Sequence, residues 1–106
     1  MKIYNLTSEQ KIRLLAELDG FNDFIFSNEH DRFMVRIKGE TDWIIGKKYL
    51  TSYDAIIPLL QKLPHETRCN FDHLMVVMFG SGYDLCSYQP HHICDAVLVA
   101  MEKAEL

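Results

Sequence analysis

The sequence lacks the features that would tie it to a membrane or to nucleic acid. No window approaches the roughly 18 consecutive apolar residues that a transmembrane helix requires. Residues 1–6 show neither the basic start nor the apolar stretch of a secretion signal. The net charge is −4, so no general attraction to nucleic acid or to an anionic membrane is expected. These absences predict a cytoplasmic protein with no membrane partner and no direct contact with nucleic acid.

The spacing of the cysteines argues against a disulfide framework. The three cysteines, Cys69, Cys86 and Cys94, are an odd number without a recognisable pattern, so we interpret them as free thiols. The chain also has no linker, internal repeat or low-complexity tract. With 106 residues, of which 48% are hydrophobic, it fits one α+β domain over residues 1–106 that is just large enough to bury a core.

What the sequence does contain is a set of helix starts. Thr7 and Gln10 form a capping-box pattern ahead of an apolar stripe, which predicts a first helix. Either hydroxyl of residues 51–52 can cap a second helix. Pro58 is expected to kink that helix or to tighten its start, because an interior proline removes one backbone hydrogen bond. Pro90 suits the first position of a third helix, where its missing N–H is harmless.

Strand patterns lie between these helices. Period-two alternation over residues 32–38 predicts a half-buried antiparallel strand with a basic outer face. Residues 71–79 carry apolar side chains at both parities, which is typical of a strand covered on both faces. Gly80-Ser81-Gly82 then predicts a turn into a hairpin strand that ends at Tyr88. The alternating strand points Phe33, Val35 and Ile37 to one face and Arg32, Arg36 and Lys38 to the other.

Together these elements predict an α+β fold. Consecutive strands joined by tight turns favour an antiparallel sheet of four to five strands with helices packed on it, in the order αββ(β)αββα. The bracketed strand is the short segment 43–45. The predicted helices cover about residues 8–19, 52–63 and 90–104, and the predicted strands cover residues 21–26, 32–38, 43–45, 71–79 and 83–88.

The helix starts also carry a family resemblance. Tyr49–Ala55 (YLTSYDA) gives a hydroxyl–aromatic–Asp–Ala start to the middle helix, and the last helix opens on Pro90, followed by Cys94, Ala96 and Leu98. With its capped first helix, the chain resembles the phage α/β/α-sandwich family of small phage and prophage proteins. The resemblance implies a phage or prophage origin and a location in the cytoplasm of the host cell. It offers no catalytic residues to carry over.

One group has the residue types of a metal or catalytic site: Cys86, His91 and His92, with His73 on a predicted neighbouring strand. Structural zinc sites use paired Cys or His spacing that is missing here, and adjacent side chains on a helix point about 100° apart. A nucleophile at Cys86 would lack an orienting group and an oxyanion cradle. Cys94 is interpreted as a small core residue. We therefore expect no cofactor, no metal and no enzyme, with Cys86, His91 and His92 as the weaker alternative.

Two further patterns favour structural roles. Residues 65–68 (HETR) look like part of a metalloprotease signature, but Cys69 stands where a histidine is needed and a proline precedes the segment, so a loop is predicted. Trp43 is interpreted as a core residue, with Tyr49 or Tyr53 at its rim.

The leading functional hypothesis is a non-enzymatic binding protein that acts through a protein interface. Its sharpest form is an inhibitor of a host defence system, for example an anti-CRISPR protein, with a host or phage protein as partner. The alternatives are a protein that binds or sequesters a small ligand such as a nucleotide, and a small Cys/His enzyme. An exposed edge strand could also pair two copies into a homodimer. The interface candidates are Arg32, Arg36, Lys38, Tyr53 and Tyr88.

Overall fold

The chain folds as an α+β protein, as predicted. The computed structural model describes residues 1–27, 32–80 and 88–106. These residues form four α-helices, one 3-10 turn and a three-stranded antiparallel sheet. None of the helices within this part of the chain is long and apolar enough to cross a membrane. In chain order the elements are the 3-10 turn Ile3–Asn5, α1 Ser8–Leu18, β1 Asp23–Ser27, β2 Arg32–Arg36, β3 Ile44–Ile45, α2 Tyr53–Gln61, α3 His65–Phe79 and α4 Pro90–Ala100.

Helix α4 is the centre of the core. It packs against α1, α2, α3 and the 3-10 turn. Most of its side chains are buried, as expected of a helix whose sequence is apolar on nearly all sides. Pro90 is its first residue, which confirms the predicted helix start. Met101 lies just past the helix and is half-buried. The buried residues of α4 are Pro90, Ile93, Cys94, Ala96, Val97, Leu98 and Ala100.

The sheet has the strand order β1-β2-β3, and both neighbouring pairs are antiparallel. Phe33 and Val35 of β2 are 5% and 1% exposed, so the predicted inward face is confirmed for these two residues. Ile37 lies past the end of β2 and is largely exposed, so its predicted burial is wrong. Gly46 follows β3, and a Cβ at this position would overlap the Phe33 ring. The absence of a side chain at Gly46 therefore makes room for Phe33.

Residues 71–79, predicted as a strand covered on both faces, form the second half of α3. Val76 and Val77 are 52% and 57% exposed, so they do not belong to a second buried face. The strand interpretation is wrong because it counted these two solvent-facing valines as buried. The inner face of α3, spaced i, i+3, i+4 and i+7 as on a helix, consists of Phe71, Leu74, Met75 and Met78.

The segments beside this region are corrected as well. Residues 65–68, predicted as a loop, form the first turn of α3, and Pro64 is the residue before the helix. His73, predicted on a strand, lies on the same helix. Gly80 ends α3 with a φ of 86°, which glycine tolerates, instead of opening a hairpin turn. The rest of that turn and of the following predicted strand, residues 81–87, lies outside the described residues. The sheet of the described part thus has three strands, and the predicted order αββ(β)αββα is wrong at 71–79.

Helix α2 continues through its interior proline. Pro58 is exposed, and the helix runs from Tyr53 to Gln61 without a break. Ser52 precedes the helix, as predicted, but its hydroxyl makes no capping hydrogen bond. The proline therefore removes one backbone hydrogen bond without ending the helix. The buried residues of α2 are Ala55, Ile56, Leu59 and Leu60.

Pro58→Ala should raise the free energy of unfolding by about 1 kcal/mol. Alanine restores a backbone N–H for the Asp54 carbonyl, and the gain is smaller than the roughly 3 kcal/mol cost of an interior proline because the unfolded chain becomes freer. Urea denaturation measures the change. Pro64→Ala is the control, since Pro64 stands ahead of α3, where no N–H is required. A destabilised Pro58→Ala variant would show that packing of the ring outweighs the missing hydrogen bond.

Candidate functional site

The outer face of the sheet carries an apolar row that crosses all three strands. Ile25 of β1 is opposite Met34 of β2, and Met34 is opposite Ile45 of β3. Opposite residues on neighbouring strands point to the same face of a sheet. Ile25 is 51% exposed and Ile45 is 62% exposed, with Met34 half-buried between them. We call these three residues the outer row.

An ordered arginine borders one end of the outer row. Arg36 points to the same face as Met34, two residues earlier in β2. Its guanidinium makes an ion pair with Asp23, with Nη2 2.8 Å and Nε 2.9 Å from Oδ2, and lies 4.4 Å from the centre of the Trp43 ring. Trp43 is thus half-buried beside Arg36 and not in the core, where it was predicted.

Of the other two basic interface candidates, the structure describes the side chain of Lys38 but not that of Arg32. Lys38 lies in the turn after β2 and is exposed, and its backbone N–H donates to Asn22 Oδ1 at 3.0 Å. Arg32 is the first residue of β2, but its side chain falls outside the described part of the chain. Lys38 is therefore a solvent-facing cation close to the ordered Arg36.

Tyr53 and Tyr88, the aromatic interface candidates, meet where α2 and α4 begin. The Tyr53 hydroxyl donates a hydrogen bond to the Tyr88 carbonyl. The Tyr88 hydroxyl donates to the Gly80 carbonyl at 2.7 Å. Tyr88 is half-buried, and Tyr53 is 36% exposed. The two hydroxyls therefore link the starts of α2 and α4 to the end of α3.

His91 and His92 follow Pro90 in the first turn of α4, and their rings touch instead of diverging. The two ring centres are 4.1 Å apart, and the ring of His92 also lies 4.5 Å from that of Phe79 on α3. Burial lowers the pKa of His92, the neighbouring His91 lowers it further, and Asp95 opposes the shift. His92 Nδ1 accepts a hydrogen bond from the Gln89 N–H at 3.4 Å. These contacts give His92 a packing role, while His91 stays exposed.

The cysteines occupy different environments. Cys86 lies outside the described residues, so the alternative that joins it to His91 and His92 stays a prediction. Cys94 is fully buried, which confirms it as a core residue. Its thiol donates to the Tyr49 carbonyl at 3.0 Å, and burial raises the pKa of the thiol. Cys69 is exposed on α3, with Sγ 3.7 Å from Nε2 of His65. In the described part of the chain no three His, Cys, Asp or Glu residues are grouped to hold a metal ion.

A connected polar group surrounds Asp19, the residue after α1. Its carboxylate accepts hydrogen bonds from the Tyr49 hydroxyl at 2.7 Å and from Lys62 Nζ at 2.6 Å, and Lys47 Nζ lies at 3.1 Å. The Asp19 side chain is only 3% exposed. Burial alone would raise the pKa of Asp19, but the hydrogen bonds from Lys62, Tyr49 and Lys47 outweigh it and lower the pKa. Burial and the bond to Asp19 raise the pKa of Tyr49, which is 1% exposed.

A cleft of about 650 Å³ lies between α1, β2, the segment ahead of α2 and the start of α4. Three of its polar residues come from helix starts: Ser8 is the first residue of α1, Thr51 stands two residues before α2, and His91 is the second residue of α4. Lys11 and Lys48 add two ammonium groups. The apolar lining residues are Ile12, Phe33 and Leu50.

No protein-family model, curated protein or solved structure matches this chain. Its function is therefore argued from the chain's own surfaces. Two surfaces stand out in the described residues, namely the outer row with Arg36 beside it and the cleft with its two lysines.

The sequence alone did not predict that the residues of either surface would lie together. Ile25 alternates with Phe24 and Phe26, so the strand pattern already indicated that one large apolar residue would face outward. The cross-strand neighbours of Ile25 depend on the register of the sheet, and the sequence does not show that register. The cleft combines helix starts that lie about 40 residues apart, from Ser8 to Thr51 and on to His91. Only the packing of the helices brings these three residues together.

Proposed function

We propose that the chain is a non-enzymatic binding protein that acts through a protein interface on the outer face of its sheet. The observation that supports the proposal is the outer row, whose members are aligned across three strands and partly or largely open to solvent. Contiguous exposed apolar surface marks interaction sites more often than scattered apolar residues do. The partner we expect is a folded protein of the bacterial host. Because the chain resembles phage proteins, the most specific partner that we propose is a component of a nuclease-based defence system.

Arg36 and Trp43 strengthen the proposal because they are ordered before any partner arrives. Tryptophan and arginine are enriched among the residues that carry most of the binding energy of protein interfaces. Binding costs less conformational entropy when such side chains are already fixed, and here the ion pair with Asp23 fixes the guanidinium against the ring. Lys38 adds an exposed positive charge nearby. Because Asp23 balances the charge of Arg36, Lys38 is the cation that a partner would meet, and we expect a partner surface that is apolar at its centre with an acidic group near Lys38.

The test is protection of a phage in bacterial strains that each carry one active nuclease-based defence system. The wild-type chain, expressed in these strains, should raise phage plating efficiency in at least one of them, and the purified defence protein of that strain should bind the chain. Ile45→Glu should weaken this binding at least about tenfold, because burying an unpaired carboxylate against apolar surface costs more than 1.4 kcal/mol.

Val77→Glu is the matched control, since it places the same charge on an exposed apolar residue of α3. Thermal unfolding of both variants checks that they fold, and Ile25→Lys is a second variant of the outer row. The proposal fails if no strain is protected or if Ile45→Glu binds as tightly as Val77→Glu. It also fails if light scattering finds a dimer that Ile45→Glu dissociates, because a second copy would then occupy this face.

A further inference from the structure

We infer that the cleft between α1, β2 and the start of α4 binds a small organic phosphate with an apolar or aromatic body, such as a mononucleotide. The cleft combines cationic side chains, helix starts and an apolar floor in one concave surface of about 650 Å³. Ligand sites of small molecules typically measure about 300–1,000 Å³. Phe33 points to the inner face of β2, so this site is separate from the outer row and goes beyond the protein-binding role.

Lys48 supplies the positive charge that a phosphate group requires, because the charge of Lys11 is balanced by Asp95. The Lys11 ammonium lies 2.9 Å from Asp95 Oδ1, and the two side chains are only 19% and 14% exposed, so this ion pair holds Lys11 in place at the cleft wall. Lys48 lines the same cleft and is exposed, which leaves its ammonium accessible to a ligand. His91 adds a ring nitrogen that can bond to a phosphate oxygen.

Helix starts add to the positive potential of the cleft. Helices α1, α2 and α4 all begin at or next to its lining, at Ser8, Thr51 and His91. The N-terminus of a helix carries a partial positive charge and backbone N–H groups without partners in the helix, and both favour phosphate. For α2 the residue before the helix, Ser52, makes no capping hydrogen bond with its side chain. The hydroxyls of Ser8 and Thr51 provide further hydrogen-bond donors.

The floor of the cleft explains why the ligand should be organic. Ile12, Phe33 and Leu50 line it with aliphatic carbon and one aromatic ring. Phe33 is 5% exposed and its ring lies over Gly46, so most of the open apolar surface belongs to the half-buried Ile12 and Leu50. An inorganic anion would leave this apolar surface unused, and an uncharged molecule would leave the Lys48 ammonium unused. A phosphate joined to a base or to another flat apolar group uses both.

Isothermal titration of the full chain with four probes tests the inference: adenosine 5′-monophosphate, phenyl phosphate, adenosine and inorganic phosphate. At least one of the two organic phosphates should bind saturably, about tenfold or more tighter than both adenosine and inorganic phosphate. Lys48→Gln should weaken that binding about tenfold, because a charge-assisted hydrogen bond to phosphate is lost. Lys103→Gln, which removes the same charge from an exposed site after α4, should leave it unchanged.

Several results would overturn the inference. If neither organic phosphate binds at millimolar concentration, the cleft is not a phosphate site. If Lys48→Gln binds with unchanged affinity, the ligand binds elsewhere. Inorganic phosphate binding as tightly as the organic phosphates would remove the role of the apolar floor. Amide shifts in NMR spectra of the complex should centre on Lys11, Leu50 and Thr51. Ile45→Glu should bind the organic phosphate as the wild type does, so a failure of the protein interface leaves this result intact.

Discussion

Phe71→Ala should lower the free energy of unfolding by about 4 kcal/mol, within the range of about 3–5 kcal/mol for removing a buried phenylalanine side chain. Phe71 is fully buried on the inner face of α3, where this helix packs against α4. A domain of this size is stable by about 5–15 kcal/mol, so the variant should lie near the limit of folding at 37 °C. Urea denaturation at 25 °C, followed by circular dichroism, measures the change.

Val77→Ala on the same helix is the control for Phe71→Ala. Val77 is 57% exposed, and alanine is a better helix former than valine, so the variant should change stability by less than about 0.5 kcal/mol. The comparison also separates the two interpretations of residues 71–79. In a strand covered on both faces Val77 would be buried, and its truncation would then cost more than about 1 kcal/mol.

Asp19→Ala should lower the free energy of unfolding by about 3 kcal/mol. The substitution leaves the buried Tyr49 hydroxyl without its acceptor, and an unsatisfied buried polar group costs about 1–3 kcal/mol. It also removes a charged partner from Lys47 and Lys62, which adds a smaller loss because both ammonium groups are about half exposed. Asp42→Ala, at an exposed position in the loop ahead of β3, is the matched control and should be nearly neutral.

The same carboxylate should make stability depend on pH in a defined direction. The folded-state pKa of Asp19 is below its ordinary value of 3.8, so on acidification the unfolded chain takes up the proton first. The stability that Asp19 contributes is therefore complete above about pH 5 and is lost as the pH falls through the folded-state pKa. Asp19→Asn should lack this part of the acid slope in urea denaturation between pH 6 and pH 3. An unchanged slope in Asp19→Asn would contradict the assigned role.

Helix starts were the most predictable part of this fold, because they depend on neighbours within one turn. Thr7 caps α1 through a bond from the Gln10 N–H, and Gln10 returns a bond to the Thr7 N–H, as the spacing predicts. Pro90 begins α4 for an equally local reason. The alternation of Phe33 with Val35 was also readable, since a half-buried strand imposes a period of two.

The region after α2 could not be predicted in the same way. Valines and aromatic residues favour strands, and in residues 71–79 this preference agrees with an apolar pattern at both parities. The same segment also carries the helical spacing of Phe71, Leu74 and Met75, and the chain forms the helix that buries this face where α3 packs against α4. Tertiary packing decided between two locally acceptable structures.

In the candidate sites too, the sequence indicated local features but not contacts between distant parts of the chain. The sequence placed Arg36 on an outer strand face, yet its partners Asp23 and Trp43 come from the neighbouring strand and from the loop ahead of β3. It gave no sign that Lys11 and Lys48 would line one cleft, since they lie 37 positions apart. Surfaces assembled across elements depend on register and helix packing, and these are set by the whole core.

The position of α4 in the chain has a consequence for synthesis. Helices α1, α2 and α3 all pack against α4, yet the ribosome makes each of them before it. At about 5–20 residues per second, the segment from Phe79 to Ala100 takes roughly 1–4 s to translate. During that interval the apolar faces that the earlier helices turn toward α4 lack this partner. We therefore expect the packing of these three helices to be completed only after α4 has been synthesised.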